Sequence, residues 1–446
     1  MFNGAFSMVI HLEMNELNIE LVKRYCEQGL LPGFEELFRR VQIVQTKAEE
    51  RFELLEPWIQ WPTVYSGKSQ SEHGIFRLGD VIETSHEQIF EKVERLTGRA
   101  VVALSPMNAL NRLTHEDSIF LPDPWTASSV KAGWLLGRFA EIAKRAVNEN
   151  SNRRSLSVAD ALVLVGVALR YVSFSTMTML GRFMFLGLRK SWARPLILDA
   201  LLVTVLIGLC KKRDPVLATV FMNAGAHLQH HYLYSSAHYD GSNTNPAWFI
   251  DPKEDPVLCA YQLYDECISK VLRTFKDATL MLSTGLSQVP NPVEIHYYRP
   301  KKHAQLIRDL GVDFWTALEP RMSRDFLLRF ESEKEVETAR IILQSSRIIG
   351  SGDQLLFLDV RKNSIFVKTA FHGRPSDTLE FSSCKGALNF NEYFSHVTIE
   401  NGVHVKVGYH LALDPSGAVS DLSNEVVPLT LIHERIVAAS ELASSS

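Results

Sequence analysis

Two apolar runs, residues 216–222 and 278–283, bracket a helical stretch at 256–275, a strand–helix–strand pattern that points to a parallel sheet. Parallel neighbours can be joined only by a crossover long enough to carry a helix, so the pattern narrows the fold class at once. The same rhythm opens the chain. Residues 6–12 read as a short strand, 18–28 as a helix closed by Gly29 and Pro32, 33–40 as a second helix, and 41–47 as a strand. A helix at 86–96 and a buried strand at 100–104 continue it, and 134–145, 158–188 and 195–209 read as helices. Beyond Ser351 the pattern changes to short strands at 354–360, 364–370, 396–400 and 403–409, with Asn401-Gly402 as a two-residue hairpin signal. The expected fold is α/β: a mainly parallel sheet sandwiched by helices, with a helical insertion and a small C-terminal antiparallel region. Residues 1–130 and 214–446 would supply the two halves of the core, 131–213 the insertion, and the β subdomain would lie near 351–410.

Composition excludes several function classes. With 46% apolar and 22% charged residues, the 446-residue chain has the makings of a large buried core and is not a disordered polymer. A net charge of −4 without a long basic run argues against a nucleic-acid polymer as partner. Cys26, Cys210, Cys259, Cys267 and Cys384 are scattered, odd in number and form no CxxC pair, which points to reduced thiols, a cytoplasmic setting and no thiolate zinc site. The first residues lack a basic n-region and read as a strand, not a signal peptide. Within 155–213 the apolar runs 161–169 and 200–210 fall short of the roughly 20 residues that span a bilayer. They read as buried helices of a helical lobe, the other reading being a peripheral membrane or homo-oligomer contact.

In open parallel sheets, ligands collect beyond the carboxyl ends of the strands. That rule gathers Glu13 to Glu16, Ser105, Asn108, Asn111, Asn223, His227 and residues 283–288 onto one rim. The stretch Asn223-Ala-Gly-Ala-His227-Leu-Gln-His230-His231-Tyr232 holds three histidines in five positions. His227 and His231 would share one helical face, and Asn223 and His227 have the same spacing, so a cation is one reading. A polar turn with imidazoles satisfied by backbone carbonyls is the other. His11, inside the first strand, reads as a buried, satisfied imidazole. Trp58 and Trp61 flank Gln60, and Trp125 sits on a proline-fixed turn; with Asn108 they suit a sugar ring or nucleobase, or else simply the core.

Five segments in order, Val9-Ile-His-Leu-Glu13, Ser66-Gly-Lys-Ser-Gln-Ser-Glu-His73-Gly-Ile75, Asn223 to His227, Leu282-Ser-Thr-Gly-Leu286 and Gly408-Tyr-His410, resemble the alkaline phosphatase superfamily. The resemblance is to its type I phosphodiesterase/nucleotide pyrophosphatase branch and to the sulfatases. It implies a divalent metal, zinc or manganese, as one or two ions, with Glu13, Asn223, His227 and His410 as ligands and His230 or His231 in reserve. It also implies a phosphoester hydrolase acting on a small-molecule or glycan ester, phosphodiester or sugar- or nucleotide-linked. The sequence departs from the pattern where Thr284 and Gly285 replace an Asp-His pair, and where the nucleophile position falls on Pro57 or Gln60. Thr63 is the nearest hydroxyl with Ser66, and Glu56, Glu72 and His73 are candidates to move a proton. For Glu72-His73 the other reading is helix capping and loop packing. Trp58, Gln60, Trp61, Asn108, Trp125 and Thr284 would line the substrate. A non-catalytic member binding a glycan, nucleotide or protein partner is the alternative function.

Overall fold

The computed structural model describes residues 8–148, 157–320, 325–417 and 426–445. They fall into two compact units, Met1–Pro290 with Gly402–Ser446, and Asn291–Asn401.

The first unit is built on eight strands: β1 (Val9–Met14), β2 (Val44–Lys47), β3 (Val101–Leu104), β4 (Ile119–Leu121), β5 (Leu217–Met222), β6 (Thr279–Ser283), β17 (Val407–Leu413) and β18 (Val427–Pro428). Their order is β18-β2-β17-β6-β1-β5-β3-β4, parallel throughout except for β17, which runs against both β2 and β6. A separate antiparallel pair, β7 (Ser287–Pro290) with β16 (Gly402–Val405), continues from the rim of β6. Strands β1, β3, β5 and β6 are buried at every position because helices cover both faces, which is why they read as unbroken apolar runs. Ile10, Leu12 and Met14 face the larger core with α1 (Ile19–Glu27), α2 (Pro32–Arg40) and α11 (Pro256–Thr274). Val9 faces the opposite core with α3 (Pro57–Ser66), α5 (Ile89–Thr97) and α15 (Leu431–Ser445). Short α4 (Gln70–His73) follows α3, and α10 (Ala224–Tyr232) leaves the end of β5.

The insertion forms α6 (Trp134–Asn148), α7 (Val158–Tyr171), α8 (Phe174–Arg189) and α9 (Arg194–Arg213). The single helix expected over 158–188 is divided, because Ser173 starts a new helix through a capping box with Thr176. Residues 191–213 are long and apolar enough to cross a membrane, but 72% of an apolar 18-residue segment within them is buried, with α9 packed on β3 and β5 as a core helix.

The second unit carries a four-stranded antiparallel sheet, β11 (Leu356–Arg361), β12 (Ser364–Thr369), β10 (Asp325–Arg329) and β9 (Ala317–Pro320), in that order. Two further pairs, β13 (Glu380–Ser383) with β14 (Gly386–Asn389) and β8 (His296–Pro300) with β15 (Phe394–Ile399), accompany it. Its helices are α12 (His303–Asp309), α13 (Glu333–Gln344) and α14 (Phe390–Tyr393), around Phe326, Leu328, Phe381 and Phe390. The β-rich region thus starts at Asn291, well before residue 351.

Two local expectations are corrected. Asn401-Gly402 is not a hairpin turn: β15 pairs with β8, whereas β16 pairs with β7. The expected strand over 403–409 is two strands for the same reason, with β16 on β7 and β17 on β6 and β2. Part of the expected 6–12 strand lies outside the described residues.

Candidate functional site

At the carboxyl end of β1 the chain enters a left-handed turn at Glu16, with φ of 57°. A non-glycine residue there costs about 1–2 kcal/mol and needs its surroundings to hold it. They do. The Glu16 N–H donates to the Thr284 carbonyl at 2.9 Å, and the Glu16 carbonyl accepts from Gln229 Nε2 at 2.7 Å. On the side chain, Asn15 Nδ2 donates to Oε1 at 2.8 Å and Gln288 Nε2 donates to Oε2.

Two imidazoles converge on the same oxygen. His404 Nε2 lies 3.0 Å and His230 Nε2 3.1 Å from Glu16 Oε2, and the two nitrogens are 3.1 Å apart. Among the described residues this is the one group of three His, Cys, Asp or Glu side chains whose ligand atoms cluster closely enough for a cation. The triangle matches one face of an octahedron, whose ligands stand about 3.0 Å apart around an ion at about 2.1 Å. The outer ring nitrogen of His230 is anchored as a metal ligand requires. His230 Nδ1 donates to the Gly402 carbonyl at 3.0 Å, and His404 Nδ1 faces the Glu56 carboxylate at 3.7 Å. The Gly402 anchor fixes the neutral His230 tautomer that leaves Nε2 free to face inward. The residues present therefore fit a divalent cation.

Electrostatics favour charge at this point. Burial alone would raise the Glu16 carboxyl, but His404 and His230 hold it well below the usual range. Burial opposes charge on His404, and the Glu16 carboxylate, with Glu56 behind it, overrides that and lifts the ring to about 9. Glu16 is 2% exposed, while His230 keeps 32% of its side-chain surface open, so the cluster is reached from one side. Glu56, the residue before α3, lies 3.7 Å from His404 Nδ1 on that rim.

Several residues singled out in the sequence form the layer behind this cluster. Trp61, fully buried, donates its indole N–H to Asn15 Oδ1 at 2.8 Å, and Asn15 also donates to Asn223 Oδ1 at 2.8 Å. Thr284 holds the Glu16 backbone and accepts the Tyr409 N–H on its hydroxyl.

The expected ligands are distributed over three places. Glu13 accepts from the Tyr65 hydroxyl at 2.5 Å and faces His11 Nδ1 at 3.5 Å; His11 Nε2 and His410 Nδ1 each meet Ser283 Oγ at 2.9 Å. That chain runs inside the core, away from the Glu16 cluster. His227 and His231 do share a face of α10, their rings 4.3 Å apart, a position offset from His230 by the helical turn. Asn223 reaches the cluster only through Asn15.

The expected catalytic set also separates. Glu56 joins the cluster. Glu72 completes the capping box of α4 with Ser69. His73 and Thr63 meet at 3.1 Å, but the Ile75 N–H donates to His73 Nδ1, so His73 Nε2 is the protonated nitrogen and donates to Thr63. The Thr63 hydroxyl in turn donates to the Ile59 carbonyl, so this pair is wired opposite to a base and its nucleophile. Gln60 is buried and donates to the Leu54 carbonyl. Asn108 is a fully buried hub, bonding the Trp58 and Arg77 carbonyls and the Gly79 and Asp123 groups. Trp58 and Trp125 lean on the second core with part of each ring exposed.

The sequence does not mark Glu16 or His404 as ligands, and it offers His230 only as a reserve ligand alongside His231. The one available signal was position: Glu16 and Gln288 lie just past the ends of β1 and β6, where the rim rule places ligands.

No family model matches the sequence, and no curated protein matches it. Among solved structures, the chain is similar to phosphonoacetate hydrolase from Sinorhizobium meliloti 1021 in complex with phosphonoformate, at 10% identity and TM-score 0.43 over 98% of this chain and 96% of that one. It is similar to murine ectonucleotide pyrophosphatase/phosphodiesterase 5 at 9% identity and TM-score 0.41, over 96% and 93%. It is similar to alkaline phosphatase from the Antarctic bacterium TAB5 at 9% identity and TM-score 0.39, over 97% of each chain. At these scores the likeness carries no argument for a residue's role or a reaction. The ligand set Glu16, His230 and His404 rests on this chain's own geometry.

Proposed function

We propose that this chain is a metal-dependent hydrolase of small phosphoesters, centred on Glu16, His230 and His404. The observation that carries the reading is the triangle of ligand atoms, with the His230 imidazole anchored on the Gly402 carbonyl. A divalent cation held there supplies Lewis acidity toward a phosphoryl oxygen and acidifies water. The protein's own part is to orient and to move protons. Glu56, 3.7 Å from His404 Nδ1, stands behind that ring, where it can orient the imidazole and receive its proton. Asn15, Trp61, Gln229 and Gln288 keep the Glu16 carboxylate in place so that no reorganisation accompanies the reaction. With Thr63 buried and bonded to Ile59, direct attack by water fits the site better than a threonyl intermediate. Manganese or zinc suits the donor set of two imidazoles and one carboxylate. Trp58, partly exposed near the start of α3, is the side chain proposed to meet a sugar or base of a diester substrate. A reducing, cytoplasmic setting agrees with five unpaired cysteines.

A second reading has one observation in its favour. Glu16 and His404 already satisfy each other as an ion pair, so the cluster can be a structural clamp in a protein that binds a glycan, nucleotide or partner without chemistry. Metal titration of the purified protein, with bis-nitrophenyl phosphate turnover, separates the two. Stoichiometric binding and turnover, both lost in Glu16→Gln, are expected. A protein that takes up no zinc or manganese and turns nothing over is the clamp.

A further inference from the structure

Helices α7 and α8 turn apolar faces outward. On α7, Val158, Leu162, Val165 and Leu169 follow one another at helical spacing, and on α8 so do Phe174, Met177, Phe185 and Leu188; all are between 51% and 84% exposed. The opposite faces, with Val163 and Val167 on α7 and Met179 and Phe183 on α8, are buried. The outward side chains expose on the order of 1,000 Å², against about 300–600 Å² for the largest patch of an ordinary monomer.

Charge identifies the occupant. Residues 131–213 contain 14 Lys and Arg against 4 Asp and Glu, a balance of +10 in a chain whose total is −4, so the remainder carries −14. Arg170 ends α7, Arg189 ends α8 with its guanidinium 4.3 Å over the Phe185 ring, and Arg194 begins α9. Arg170, Arg189 and Arg194 have no carboxylate partner among the described residues. Apolar stripes edged by arginines are the pattern of helices that lie in a lipid–water interface. Of the two helices, α7 has 14 residues and α8 has 16, each shorter than the roughly 20 that span a bilayer, so they would lie on the membrane. A second copy fits less well, since a two-fold contact would set two such cationic faces against each other.

We propose that the outer face of the α7–α8 pair docks the protein on an anionic phospholipid bilayer. The test is flotation of the full chain with vesicles of phosphatidylcholine alone or with about one-third phosphatidylglycerol. The protein is expected to float with the anionic vesicles only, and to be released as salt rises to about 0.5 M. The double variant Leu169→Asp/Phe174→Asp should bind about tenfold more weakly with an unchanged thermal melt, because both side chains are already solvent-exposed. Arg170→Glu/Arg189→Glu/Arg194→Glu should remove the preference for phosphatidylglycerol. Equal flotation with both vesicles overturns the charge assignment. No flotation overturns the proposal. If the parent is then a dimer that the Asp variant dissociates, the face belongs to a second copy.

Discussion

His404 stands opposite Gln288 in the β7–β16 ladder, and both side chains end on Oε2 of Glu16. One strand pair thus delivers a cationic ring and a neutral amide to the same carboxylate oxygen. Gln288 Nε2 also donates to the Ala226 carbonyl. In Gln288→Glu, both bonds are lost and a second anion faces Glu16. The variant is expected to be less stable by about 2–4 kcal/mol without metal, and to recover most of that when manganese or zinc is added. Urea denaturation with and without the ion checks it; a loss that metal does not relieve counts against a cation at this point.

Glu16→Gln and Trp61→Phe rank the two layers of the site. Removing the anionic ligand should lower metal affinity by at least about a hundredfold, whereas removing the indole N–H behind Asn15 should cost about tenfold. Isothermal titration with zinc gives both values. Equal effects, or none, would remove Glu16 from the ligand set.

Gly402 lies where no side chain fits. A Cβ there would sit 2.2 Å from Gln288 Oε1 and 3.0 Å from the Gln229 carbonyl, and the Gly402 carbonyl itself anchors His230. Gly402→Ala is expected to lose about 2 kcal/mol of stability and to weaken both ion binding and phosphodiester turnover. Gly137→Ala, which meets nothing within 4 Å, serves as the control and should leave both unchanged.

His73 provides the pH dependence. Burial, helped by the nearby His86, lowers its pKa from 6.5 to about 4, and the bond from the Ile75 N–H to Nδ1 would be broken by protonation. The folded state therefore binds fewer protons than the unfolded state between pH 6.5 and 4. This contribution to stability is fully present above 6.5 and is lost as pH falls through that window, by about 3 kcal/mol in all. His73→Asn retains an acceptor for the Ile75 N–H but does not titrate. Denaturation midpoints measured from pH 7.5 down to 4 should fall less steeply for the variant than for the parent; parallel slopes would show that His73 is not buried in its neutral form.

How much of this was legible before folding depends on the range of the interaction. The fully buried strands β3, β5 and β6 and the helix α11 stand out as apolar runs and periodicity, because burial on both faces leaves a local trace. The pairing of His227 with His231 on α10 was equally readable, since one helical turn sets it. Thr63 beside His73 was legible as a neighbourhood, but the direction of its hydrogen bond was not, because that depends on the Ile75 amide.

By itself, the sequence determined the α/β class, the helical character of the insertion, and the carboxyl-end rim as the place where polar groups gather. Only the tertiary structure decided which groups meet. Glu16 and His404 are 388 residues apart, and nothing local records that β16 pairs with β7, or that the turn after β1 goes left-handed under the hold of Thr284 and Gln229. Nor does the spacing of three histidines say that His230, a helical step away from His231, is the one aimed at Glu16. Periodicity and burial are properties of a segment and leave their mark in it. The convergence of three distant side chains on one oxygen is set by strand pairing and core packing, which exist only once the whole chain has folded.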